Sequence, residues 1–171
     1  MLLRLQVYTD SCVEIFLTGK ERTGRYVNIE VNCLGAILLG THETSKPREG
    51  ANVDPARWDS RIERATCAQA DGRSGWVALD KATLGEEPRA PGPYPWTCAL
   101  RLPFDLLTEL LDPIESPAPG IEWAVGLFKC ADDAPGGGAW GAWADIGSEL
   151  NFHQPQRFGR LVFACERACA T

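Results

Sequence analysis

The chain has 171 residues, 44% of them hydrophobic and 23% charged, with a formal net charge of −6. That composition fits a single globular domain, residues 1–171, long enough to bury a real core. The acidic balance argues against a nucleic-acid partner and against an anionic membrane surface, and no run reaches the length of a membrane-spanning helix.

Taken in order, the start MLLRLQVYTDSC has an apolar stretch of only about five residues before Tyr8, Thr9 and Asp10, too short for an export signal. It leaves the compartment open. Residues 12–18, CVEIFLT, read as a strand, GKERTG as a polar turn, and 25–33 as the return strand of a hairpin. In that return strand Tyr26, Asn28, Glu30 and Asn32 fall on one face, and Val27, Ile29, Val31 and Cys33 on the other. AILLG at 36–40 extends it as a short buried strand. Residues 41–55 are expected to be polar and irregular, with His42 in a loop.

Trp58, Ile62 and Ala65 stand at helical spacing and predict a short amphipathic helix over 56–65. SGWVALD at 74–80 reads as a strand, whereas the prolines of 85–95 exclude regular structure. A strand at 96–102, a short helix or turn at 104–111 and a central, two-sided strand at 121–130 follow. ADDAPGGGA is a loop, and RLVFAC, 160–165, a last strand. Short strands with Gly and Pro punctuation predict an all-β antiparallel sandwich of immunoglobulin-like or jelly-roll type, with one or two short helices in its connections. Trp58, Trp76, Trp96 and Trp123 are expected in the core, while Trp140 and Trp143 flank the glycine run and are placed to line a site.

The seven cysteines, an odd number, leave at least one without an intramolecular partner and read as reduced structural thiols. Cys165 and Cys169 lack the further ligands of a zinc site. No nucleophile motif accompanies either histidine, and glycines 136–138 lack the Lys-Ser/Thr pair of a phosphate loop. Glu14 and Glu30, on paired strands and facing one side, are the one arrangement suited to glycoside hydrolysis. Asp132 and Asp133 are the one place where calcium would find clustered oxygens, but no cofactor is assigned. The polar face of the return strand suits either sugar hydroxyls or cross-strand hydrogen bonds, and pattern alone does not choose.

YTDSCVEIFL (8–17), RYVNIEVNCLG (25–35), WTCALRLPFDLL (96–107), LFKCADD (127–133) and NFHQPQRFGRLVF (151–163), in this order and spacing, resemble the family 9 carbohydrate-binding modules and their family-9-like relatives. The resemblance implies a β-sandwich that binds sugars without cleaving them, between two aromatic rings. It places the rings at Tyr8 and Phe152, both where strong sugar binders carry Trp, and the polar contacts at Glu14, Asn28, Glu30, Asn32 and Lys129. His153, beside Phe152, either touches ligand or caps the loop. Relatives also carry some sixty residues of strands ahead of the first motif; a chain without them would expose a sheet edge for a homodimer or a partner chain to cover. The expectation is therefore a non-catalytic module for a mono- or oligosaccharide, with no nucleic-acid or membrane partner. The rivals are a small glycosidase using Glu14 and Glu30, and an interaction sandwich completed by another chain. A haem-binding sandwich is disfavoured, because the sole Met is Met1 and the two histidines lie far apart in sequence.

Overall fold

Alternation in the first third of the chain builds the centre of a sheet. The computed structural model describes residues 7–9, 11–69, 76–78, 95–133 and 136–164. Strand β1 (Cys12–Gly19) pairs antiparallel with β2 (Arg25–Asn32), setting Cys12 opposite Asn32, Glu14 opposite Glu30 and Phe16 opposite Asn28. β3 (Ile37–Glu43) and β4 (Lys46–Asn52) continue the meander outward. The chain then crosses to a second, three-stranded sheet of β5 (Glu63–Gln69), β6 (Trp76–Ala78) and β7 (Trp96–Arg101), ordered β6-β5-β7. Helix α1 (Phe104–Leu111) leads back to β8 (Glu122–Cys130), which lies against the free side of β1. The short β9 (Gly141–Ala142) and β10 (Gly159–Val162) both pair with β8, completing the order β10-β8-β1-β2-β3-β4.

The two sheets form a sandwich around one face of the larger sheet. Leu17, Val27, Ile29, Val31, Ile37, Leu39, Trp123 and Val125 from that sheet meet Trp58, Ile62 and the buried leucines 106, 107, 110 and 111 of α1. Those leucines recur along one stripe of the helix, which is why eight residues suffice to cap the core. The opposite face carries a second cluster of Phe16, Tyr26, Ala124, Phe128 and Phe158, against which Ile146 and Phe152 pack. The long connection between β8 and β10 thus covers part of the polar side of the sheet.

The predicted hairpin, the strand at 96–102, the helix at 104–111 and the central strand at 121–130 all form. Two expectations fail. Residues 41–55 are not irregular: β3 runs through His42 to Glu43, and KPREGAN forms the edge strand β4, exposed along most of its length. Nor is 56–65 a helix. A 3-10 turn at Pro55–Arg57, capped by Asp54 Oδ1 on Ala56 N, leads through tight turns at Trp58 into β5. Trp58 and Ile62 still reach the core because the turn bonds Ile62 N to Trp58 O and Trp58 Nε1 to Val53 O. Trp123 is buried and Trp96 half-buried, its Nε1 donating to Ser11 Oγ; the side chain of Trp76 and residues 165–171 lie outside the described residues. Among the described residues, Cys12, Cys33, Cys67, Cys98 and Cys130 form no disulfide. Among the described residues no helix is long and apolar enough to cross a membrane.

Candidate functional site

The pleat puts Cys12 and Glu14 of β1, Asn28 and Glu30 of β2, Leu38 and His42 of β3, and Phe128 and Cys130 of β8 on the same side of the large sheet. This face is polar yet covered. Glu14 is 7%, Asn28 3%, Glu30 6% and Asn32 5% exposed. Such groups need partners, because a buried polar atom left unpaired costs about 1–3 kcal/mol.

Two chains of hydrogen bonds run across this face, and the second supplies Asn28 and Glu30. In one, Tyr26 Oη lies 2.6 Å from the carbonyl of Pro47 and 2.7 Å from His153 Nδ1. The phenol has one proton and the carbonyl only accepts, so Tyr26 donates to Pro47 O and receives from His153 Nδ1–H. Burial lowers the pKa of His153 to about 4, with His42 and Arg48 adding to the effect, so the imidazole stays neutral. In the other chain, His42 Nδ1 donates to Pro47 O at 3.0 Å, His42 Nε2 meets Asn28 Oδ1 at 3.0 Å, and Asn28 Nδ2 donates to Glu30 Oε1 at 2.9 Å.

This second chain holds one proton with two resting places. With His42 doubly protonated, Glu30 is a carboxylate. With His42 neutral, the Asn28 amide turns over and accepts from a protonated Glu30. Burial favours the neutral pair, lowering His42 and raising Glu30 to about 7. Two glycines make the packing possible: a Cβ at Gly50 would lie 2.1 Å from the His42 ring, and one at Gly40 2.3 Å from Asn28 Oδ1.

Toward the β1 start the face becomes a cluster of acids and thiols. Burial first, then Glu30 and Asp132, raise Glu14 to about 8. The Cys130 thiol lies between Glu14 and Asp132 Oδ1, and burial first, then the bond to Asp132, pushes it up to about 12. Tyr8 and Phe152 pack on the same small group of Val7, Cys12, Leu38 and Cys130. Phe152 is held by Phe128, the rings parallel within 12° at 4.4 Å. Trp140, 45% exposed, is held by its Nε1 bond to Asp132 Oδ1 at 2.8 Å. Together Cys130, Asp132, Trp140, Leu150 and Phe152 line an open pocket of about 300 Å³.

The structure thus gathers Tyr8, Glu14, Glu30 and Phe152 in one neighbourhood, and places other expected residues differently. His42 lies in a strand, stacked on Tyr26 at 4.8 Å, not in a loop. His153 and Asn28 belong to the buried chains. Asn32 turns its Oδ1 to Leu34 N and Ala36 N, holding the β2–β3 turn. Lys129 stands opposite Val13, on the face away from Glu14, and its Nζ caps the carbonyl of Cys130 at 2.5 Å. The Asp132 carboxylate takes Trp140 and Cys130 as partners, while Asp133 is tied by its backbone N to Thr9 O. Trp140 and Asp132 as pocket walls were foreshadowed only by a tryptophan beside a glycine run and by paired acids; nothing local in the sequence ties one to the other.

Three comparisons bear on this geometry. No curated protein matches the chain. A crystal structure of a candidate carbohydrate-binding protein from Bacteroides uniformis ATCC 8492 shares the fold, with a TM-score of 0.66 at 22% identity over 92% of this chain. The chain spans 63% of the length of that structure. The profile of carbohydrate-binding family 9 matches residues 4–163, nearly end to end, and the chain belongs to that family.

Proposed function

We propose that the protein binds a mono- or oligosaccharide without cleaving it, in the pocket between Trp140 and Phe152. Membership of carbohydrate-binding family 9 carries this reading. The pocket supports it chemically. Trp140 and Phe152 offer apolar rings for the C–H face of a pyranose, and Asp132 offers acceptors for its hydroxyls. Tyr8 flanks the thiol pair from the side, and Glu14 and Glu30 lie beneath as a buried floor. Asn32 and Lys129 serve the turn and the strand end in this reading, and do not touch the sugar.

Isothermal titration of the purified chain with neutral, acidic and amino sugars tests the proposal. Trp140→Ala should weaken binding about tenfold, on the order of 1–2 kcal/mol, while leaving the near-ultraviolet dichroism of the core intact. Phe152→Ala should weaken it at least as much. Equal affinity in Trp140→Ala and wild type would reject the pocket; a folded chain that binds nothing in the panel would reject the function.

One observation favours a second reading. Glu14 and Glu30 stand directly opposite one another, as a hydrolytic carboxyl pair does, and Glu14, the one raised further, is the one suited to act as the acid. Reducing ends released from oligosaccharides, and lost in Glu14→Gln, would establish it.

A further inference from the structure

Cys12, Glu14 and Glu30 meet at the centre of the large sheet with nothing cationic among them. Cys12 and Glu14 are two residues apart on β1 and so share a face, and Glu30 faces Glu14 across the strand pair. One sulfur and two carboxylate oxygens from these residues lie within 4.8 Å of one another. All three residues are buried, on the two central strands of the sheet. A second observation is independent of this convergence. The Oε2 of Glu30, on a side chain 94% shielded from solvent, finds no hydrogen-bond partner among the described residues, although Oε1 is held by Asn28. A buried carboxyl oxygen beside a second carboxyl and a thiol, with no donor to receive, calls for a cation or a proton.

We propose that Cys12, Glu14 and Glu30 form a site for a borderline-soft divalent cation, of which zinc is the best match. The ligand set decides the class. Calcium and magnesium favour all-oxygen shells of six or more ligands and gain nothing from a thiolate, whereas one of the three converging atoms here is sulfur. Zinc takes mixed sulfur and oxygen ligands in a tetrahedron whose edges are about 3.3–3.7 Å, so the three atoms have to close by only about 1 Å. Cys130, directly opposite Cys12 on β8, brings a second thiol to the same wall for the fourth position. Second-shell support is already in place: the Asn28 amide donates to Glu30, and His42 fixes Asn28 from behind. Without metal the groups stay neutral by keeping their protons, so binding must release protons and tighten as pH rises.

The site adjoins the sugar pocket, whose wall includes Cys130, but Cys12, Glu14 and Glu30 do not line that pocket, so the test uses readouts that sugar binding does not move. The chelator-treated chain is titrated with Co²⁺, then with Zn²⁺ in competition. The expected result is a saturable thiolate-to-cobalt charge-transfer band with tetrahedral ligand-field absorption, displaced by zinc and accompanied by net proton release. Cys12→Ser should shift and weaken the band, Cys12→Ser combined with Cys130→Ser should abolish it, and Glu30→Gln should weaken zinc binding at least about tenfold, whereas Cys98→Ser, on the other sheet, should change neither the band nor the affinity. Should the Glu30 variant fail to fold, the wild-type band and proton release decide alone. A folded wild-type chain that takes up no Co²⁺ or Zn²⁺, or that binds Co²⁺ without a thiolate band, would overturn the proposal and leave the cluster held by protons.

Discussion

Tyr26 is the residue on which the covered face turns. It is fully buried, stacks on His42 and lies against Phe16 and Phe158, yet its hydroxyl serves both Pro47 and His153. Removing only that oxygen leaves the ring packing unchanged and strands the His153 N–H. Tyr26→Phe should therefore cost about 1–3 kcal/mol in urea unfolding, more than a surface hydrogen bond would. A loss within error of zero would mean that water replaces the phenol. The same residue shows what the sequence could reveal of the site. The Tyr-x-Asn-x-Glu-x-Asn alternation made the polar face legible, because strand periodicity is a local property. Which of those groups meet one another was not legible. The partners come from far along the chain: His153 from the connection after β8, and Pro47 from β4. The face that Lys129 takes was not legible for a related reason, since motif position does not say which side of a strand a residue occupies until the register is known.

Trp58 makes the corresponding case for elements. It sits in the crossover from the meander to the second sheet, 2% exposed, with its indole N–H on Val53 O. Arg57 and Arg61 beside it reach Glu109 on α1, and Arg61 also reaches Asp105, so the crossover and helix are joined at the surface as well. Those exposed ion pairs contribute little; the ring dominates. Trp58→Ala should destabilise by about 3–5 kcal/mol, whereas Arg57→Ala should stay within about 1 kcal/mol, as measured by thermal unfolding. Comparable losses in the two would place the junction at the surface, not in the core. This junction was also misread from sequence. Apolar residues four apart satisfy a helix and a sequence of tight turns equally well, and Pro55 with the Asp54 cap marked only the start. β4 escaped notice because an exposed edge strand has no apolar face to generate a period. The buried strands β1, β2 and β8, which do, were read at nearly their true limits.

Across the whole molecule the unusual feature is a set of buried titratable groups whose displacements act in opposite directions on stability. Between an ordinary carboxyl pKa and their folded values near 8 and 7, Glu14 and Glu30 hold protons in the folded protein that the unfolded chain has lost. The folded state then binds more protons, and stability falls as pH rises, by up to about 1.4 kcal/mol per pH unit for each group. His153, lowered to about 4, and His42, also lowered, act the other way: below their ordinary value the unfolded chain binds more protons, so stability rises with pH until about 6.5. The two pairs offset one another between about pH 4.5 and 6.5, and above that the glutamates act alone. In chelator, the melting temperature should therefore fall from pH 6.5 to 8, and Glu14→Gln should be more stable than wild type at pH 8, the advantage shrinking toward pH 5. Saturating zinc should reverse the sign of that comparison if the cluster binds it, because a metal-bound Glu14 is ionised in the folded state and its replacement removes a ligand. A Glu14→Gln chain that is less stable than wild type at pH 8 even in chelator would mean that the Glu14 carboxylate is satisfied in the folded protein, and that neither protons nor a cation is needed to keep this face closed.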